Sequence, residues 1–169
     1  MITVKIILGF GIICLTTYIG IQKSKKLKDR EYILREYIVF INLVEKEMKY
    51  TLNILPEILE SARFKLNTIL RDVIGNIVVD MLQEKDINKS ITDNVNMIDC
   101  LEDYDKQIIT ATLSNLGRNS IELDRSMILS SIDTVDNQVK EAVTIKEKTS
   151  KMYRVLGMAT GFVIVILFL

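Results

Sequence analysis

The chain contains no histidine, a single proline, seven glycines and two cysteines in 169 residues. Without histidine, the usual general base, the usual proton switch near neutral pH and the commonest metal ligand are all missing. A Ser/His or Cys/His nucleophile is excluded for the same reason, and no glycine-rich phosphate loop is present. Cys14 lies in an apolar run and Cys100 in a polar stretch, without the paired spacing of a disulfide framework or a zinc site. Cys100 also lacks the neighbouring cations that mark a reactive thiol. Charge bias is absent as well: 22 basic and 22 acidic residues cancel, which gives no footprint for nucleic acid. The carboxylates of Glu45/Glu47 and Glu102/Asp103/Asp105 fall at spacings expected of solvated helix faces. No catalytic, metal or cofactor site and no nucleic-acid partner is expected. A membrane-tethered enzyme using a carboxylate pair is the weaker alternative.

What the chain has instead is a long apolar run at each end. Residues 155–169 carry no charge, after Lys151 and Arg154. At about 1.5 Å per residue they cover roughly 22 Å, short of a full bilayer core unless Met152 and Tyr153 contribute or the membrane is thin. Residues 2–21 form a second run, interrupted only by Lys5, long enough to span as a helix. No small-x-small cleavage pattern closes it, so a retained anchor is expected rather than a signal peptide. Lys23, Lys25, Lys26, Lys28 and Arg30 follow the first run; Lys146, Lys148, Lys151 and Arg154 come immediately before the second. By the positive-inside rule these set the topology, placing both basic flanks and residues 22–154 in the cytoplasm, in contact with anionic membrane lipid. Gly157 and Gly161 form a G-x-x-x-G pair suited to close helix packing in the membrane, although glycine is also simply frequent in such helices.

The expected fold is all-α: a cytoplasmic helical bundle at 22–154 flanked by transmembrane helices at 2–21 and 155–169. Apolar residues recur at helical spacing through 27–51, in one helix that can continue the first span. Asn53 to Leu55 break it, and Pro56 suits the first turn of the next helix. A turn is expected near 63–67, and an end or kink at Gly75-Asn76. Lys85 to Asn94 reads as a surface loop with a new start capped by Ser90 or Thr92, and Gly117 as the terminator of a helix over 103–116. From Ser120, a candidate cap, the residues Ile121, Ile128, Val135, Ala142, Thr149 and Leu156 repeat at sevens. Ile132, Val139 and Tyr153 interleave with them, and Arg125 and Lys146 break that second series. This predicts one helix of about fifty residues running into the terminal span. A coiled-coil structural protein acting through that seam is a further reading, and homo-oligomerisation stays open.

The order and spacing of several short stretches resemble the stage III sporulation protein AB family. They are Gly20 after Thr16-Thr17, Val44-Glu45-Lys46-Glu47-Met48-Lys49-Tyr50, Leu55-Pro56-Glu57, Leu116-Gly117, and Lys151 to Gly157 with Gly161. The sequence departs from the family pattern at Val44, Ile54, Ile58, Ser120 and Asp124. Serine at 120 still offers a cap, whereas aspartate at 124 puts in doubt any contact the family makes there. The resemblance implies a subunit of the mother-cell to forespore channel apparatus, in the mother cell's engulfing membrane. It is similar to a half-size inner-membrane platform protein of type II secretion. Implied partners are a cytoplasmic ATPase and the other membrane subunits, with Glu45, Glu47 and Tyr50 as candidate contacts. A surface ion pair and a core-edge tyrosine explain those three equally well.

Overall fold

In the computed structural model the backbone is described at residues 2–51, 53–118 and 120–168. The side chains of 2–14, 16–17, 150–151, 153–154, 156–158 and 160–168 lie outside the described residues. Six helices follow in order among the described residues: α1 Ile2–Tyr50, α2 Leu55–Arg63, α3 Ile69–Leu82, α4 Ile87–Asn96, α5 Asp103–Asn115 and α6 Ile121–Phe168. The all-α expectation holds, and so does the long final helix, at 48 residues. Among the described residues no helix is long and apolar enough to cross a membrane. Most side chains of the 2–21 and 155–169 runs lie outside that description.

The chain divides into two compact units, one of Met1–Glu31 with Glu141–Leu169 and the other Tyr32–Lys140. The division falls well inside α1 and α6, beyond the ends of both apolar runs. In the first unit Gly20, Ser24 and Arg30 of α1 and Ala142 of α6 are buried. Glu31 and Lys146, both partly buried, form an ion pair there.

The second unit is a meander in which α2 contacts α3, α3 contacts α4, and α4 contacts α5. Its core takes Leu34, Tyr37, Phe40, Ile41 and Val44 from α1, a three- and four-residue rhythm that makes one buried stripe. In α6, Asp124, Ile128, Ser131, Val135 and Val139 are buried at the same rhythm. The heptad seam is therefore turned inward at its centre, which removes it as a free coiled-coil surface; Ile121, its first member, is exposed. Its inner companions at the start are Asp124 and Ser131, not Arg125 and Ile132, because the buried stripe drifts with the 3.6-residue period.

Local chemistry explains the boundaries. Pro56 occupies the first turn of α2 after an extended Ile54, as its missing N–H allows. Thr68 caps α3, its hydroxyl accepting from the Leu70 N–H at 3.2 Å. The carboxylate of Glu36, nine-tenths buried on α1, reaches the same helix end. It accepts from the backbone N–H of Asn67 at 2.6 Å, that of Thr68 at 3.2 Å, and the Thr68 hydroxyl. One carboxylate thus joins α1 to the start of α3, where the helix dipole favours negative charge.

Three expectations are corrected here. Gly75 neither ends nor kinks α3; it is buried in mid-helix, and a Cβ there would meet the Arg63 guanidinium at 3.0 Å. Glycine serves close approach at this point, not chain reversal. α3 instead ends at Leu82, with Glu84 in the left-handed region at φ 54° and the Lys85 N–H returning to the Asp80 carbonyl at 3.2 Å. Ser90 and Thr92 do not cap α4. Asp86 does, accepting from the Lys89 N–H at 3.2 Å, while buried Ser90 donates to Asp80 and Thr92 bonds back to the Asn88 carbonyl. Asp105 is not a solvated carboxylate: it is buried and accepts from the Glu102 N–H at 3.0 Å, half of a capping box at the start of α5.

Gly117 terminates α5 as expected, with φ +74°. A Cβ at that position would lie 3.1 Å from Leu55 Cδ2. Gly117→Ala combines left-handed strain with that contact, and a loss of about 1–2 kcal/mol is expected. Native-state hydrogen exchange of the α5 amides measures it; unchanged protection would contradict the assignment.

Candidate functional site

The last turns of α1 bring together the three residues singled out as contacts, and the structure gives them different roles. Glu45, mostly buried, pairs with Arg125 of α6 at 2.6 Å. Glu47 accepts from the Ser61 hydroxyl of α2 at 2.6 Å. Both carboxylates are thus engaged within the bundle. Tyr50 remains 75 % exposed, with the Lys49 ammonium 5.0 Å from its ring centroid. Beside the Glu45–Arg125 pair lies a cavity of about 150 Å³, lined by Met48, Lys49, Ile121, Glu122 and Ile128 together with the pair itself.

The basic flank divides. Lys23, Lys25, Lys26 and Lys28 are exposed, whereas Arg30 is buried and so is not a surface cation. At 100° per residue the four lysines fan over most of the circumference of α1 and not along one face. Immediately before them Leu15, Tyr18, Ile19 and Ile21 are each about half exposed or more. The Tyr18 hydroxyl accepts from Gln22 at 2.7 Å. The side chains of Lys151, Arg154, Gly157 and Gly161 lie outside the described residues.

Several functional-looking groups were not legible beforehand. Asp124 is buried and accepts from the Gly117 N–H at 2.8 Å, tying the start of α6 to the end of α5. Its contact is therefore a structural one, in this chain made by aspartate. The hydroxyl of Tyr37 is buried with no partner in hydrogen-bonding geometry. Thr112 and Ser131, whose oxygens are 2.8 Å apart, border it. Burial pushes the Tyr37 phenol up to about 12, against a smaller opposing effect of those two hydroxyls. Asp80 is held below the usual carboxylate range by its hydrogen bond from Lys85 and then by that from Ser90. Glu60 is lowered by Arg63, which grips it through two bonds of 2.5 Å. Both are surface pairs of the kind that order a helix end rather than perform chemistry. Among the described residues no group of three or more carboxylates and cysteines is placed to hold a metal ion.

The arrangement is one of caps, ion pairs and inward-turned carboxylates. No curated protein and no solved structure matches the chain. Residues 5–169 match the family described as stage III sporulation protein AB (spore_III_AB). With Lys5 to Leu169 covered, both apolar ends and the whole helical middle are included, and the chain belongs to the stage III sporulation protein AB family.

Proposed function

We propose that the chain is a non-enzymatic, membrane-anchored platform of the sporulation channel apparatus, holding a cytoplasmic ATPase against the membrane subunits. The observation that carries the membrane part is the abrupt change along α1. Exposed Leu15, Tyr18, Ile19 and Ile21 give way within two residues to exposed Lys23, Lys25, Lys26 and Lys28. Water-facing apolar side chains next to a lysine belt that fans around the helix suit a bilayer edge, with tyrosine and lysine at the headgroup layer. A partner protein would read one face; a headgroup layer surrounds the helix. Residues 2–21 and 155–169 then cross the mother cell's engulfing membrane, and 22–154 works on the cytoplasmic side. Gly157 and Gly161 would pack the spans. The scaffold part rests on family membership and on the resemblance to a secretion platform, with Glu36, Glu45 and Glu47 engaged in holding helices together.

Two measurements test this. Single cysteines placed at Lys25 and Lys148 in intact cells should resist a membrane-impermeant maleimide added outside; labelling at either position would reverse the orientation. The membrane-embedded full chain should retain the apparatus's ATPase in a pull-down. If no retention is seen, the docking role is lost even where the topology holds.

A further inference from the structure

The turn between α2 and α3 leaves on the surface two kinds of side chain that seldom share one. Residues 61–71 carry Arg63, Lys65 and Arg71 and no carboxylate. Phe64, which ends α2, is 57 % exposed, and Ile69, which opens α3, is 46 % exposed. A phenyl ring and an isoleucine gain by leaving water, and on this turn the fold gives neither a full place in its core. Two guanidiniums flank the ring: Arg63 lies 4.9 Å from its centroid and Arg71 5.5 Å. Arg63 is gripped by Glu60 through two bonds of 2.5 Å and feels the charge of Asp72. Lys65 and Arg71 are exposed, Arg71 within the field of Glu60. Attraction to a ring uses up no hydrogen bond, so the Arg71 N–H groups stay available to a phosphate.

Position in the chain indicates which anionic surface the turn meets. Glu36 of α1 holds the turn through Asn67 and Thr68. That carboxylate already occupies the start of α3, so a further anion must be bound by side chains and not by the helix end. Glu36 is eight residues along the chain from Lys28, the last of the exposed lysines. Eight residues reach at most about 28 Å. The turn is thereby tethered within that reach of whatever surface the lysines occupy. An anionic lipid surface takes both kinds of side chain at once, the apolar ones at the acyl boundary and the cations among the headgroups.

We propose that the α2–α3 turn is a membrane contact of the helical bundle itself. Phe64 and Ile69 enter the headgroup layer of an anionic bilayer, and Lys65 and Arg71 pair with its anionic headgroups. The contact rests on the membrane-anchored reading above, because the anchor brings the surface within reach. Alone, one turn would bind weakly; tethered through α1 it acts as a linked second site, at the high effective concentration such a link provides. The bundle is then fixed to the bilayer at two points, the end of the anchor and this turn, so its orientation is set as well as its distance.

The chain has no tryptophan, so one introduced at a time reports its own surroundings. The full chain is reconstituted into phosphatidylcholine vesicles with and without phosphatidylglycerol, with brominated acyl chains to quench any tryptophan that touches them. Tyr18→Trp reads the anchor, Phe64→Trp the turn, and Tyr50→Trp, at an exposed position fourteen residues beyond Glu36, is the reference in water. Phe64→Trp should be blue-shifted and quenched on the anionic vesicles and lose most of both effects without phosphatidylglycerol. Adding Arg71→Gln should lower the ratio of bound to unbound turn about fivefold, the weight of one cation near an anionic surface, with helicity unchanged. Tyr18→Trp should be quenched on both kinds of vesicle. If it is quenched and Phe64→Trp behaves like Tyr50→Trp, the turn contact is overturned in favour of an acidic protein partner, and the anchor stands. If Tyr18→Trp stays in water, the anchor fails and this contact with it. Equal quenching of Phe64→Trp with and without phosphatidylglycerol, or no effect of Arg71→Gln, would overturn the pairing with anionic headgroups.

Discussion

Replacing Glu36 with alanine is expected to cost about 3 kcal/mol of the local stability of α3. The carboxylate is nine-tenths buried and serves three donors at once: two backbone N–H groups at Asn67 and Thr68 and the Thr68 hydroxyl. Removing it leaves those partly buried donors without their acceptor; an unmet buried donor costs about 1–3 kcal/mol, and less where water can reach it, as at exposed Asn67. It also removes a negative charge from the positive end of α3, worth a further several tenths to 1 kcal/mol. Relaxation of the 64–68 turn toward solvent returns part of the loss, which is why the sum stays near 3. Glu36→Gln keeps one acceptor oxygen of nearly the same shape but loses the charge and turns the second acceptor into an NH2 donor, so it should recover at most about half. Hydrogen exchange of the Leu70 to Val73 amides is the measurement, since it reads α3 without assuming that both units of the chain unfold together. Equal protection in wild type and Glu36→Ala would mean that Thr68 alone caps the helix.

That carboxylate also marks where sequence reading stopped. The helices themselves were legible because period-3.6 spacing, one proline and Gly117 are local signals: Pro56 and Gly117 punctuate as their backbone chemistry dictates. Glu36 carries no such signal. It sits on a helix between Arg35 and Tyr37, and only folding brings residues 67 and 68 to it. The same holds for Asp124 with the Gly117 N–H and for Arg30, which reads as a surface cation and is buried. Asp105 stood in a run of acidic residues that looked solvated, yet it is buried as the N3 residue of a four-residue capping box. Gly75 looked like punctuation because glycine usually is; here the Arg63 side chain occupies the space a methyl would need. Of the contact residues, Tyr50 is exposed as anticipated, but Glu45 and Glu47 are engaged within the bundle. The two apolar runs and their lysine edge were plain from composition alone, being properties of single segments.

Tyr37 provides the second large effect, and it acts through pH. Its phenol is fully buried and ionises at about 12 in the folded chain, two units above its value when exposed to water. Raising the pH from 9 to 12 deprotonates the unfolded chain's tyrosine before the folded one. Over that range the unfolded state therefore binds fewer protons than the native state, and stability falls as pH rises. This tyrosine alone should remove about 2 kcal/mol between pH 9 and pH 12, with nothing lost below the unfolded value near 10. The other tyrosines and the lysines titrate in the same range, so the comparison must be made against Tyr37→Phe. Near neutral pH that substitution should change stability by less than about 1 kcal/mol, because the hydroxyl it deletes makes no hydrogen bond. Denaturant unfolding followed by circular dichroism at pH 9, 11 and 12 gives both curves. Wild type should fall below the phenylalanine variant as pH rises, its stability relative to that variant dropping by about 2 kcal/mol between pH 9 and 12. Parallel curves would mean that Thr112 and Ser131 hold the phenolate as well as the phenol, and that the hydroxyl cluster joining α1, α5 and α6 is a solvated polar site instead of a dry one.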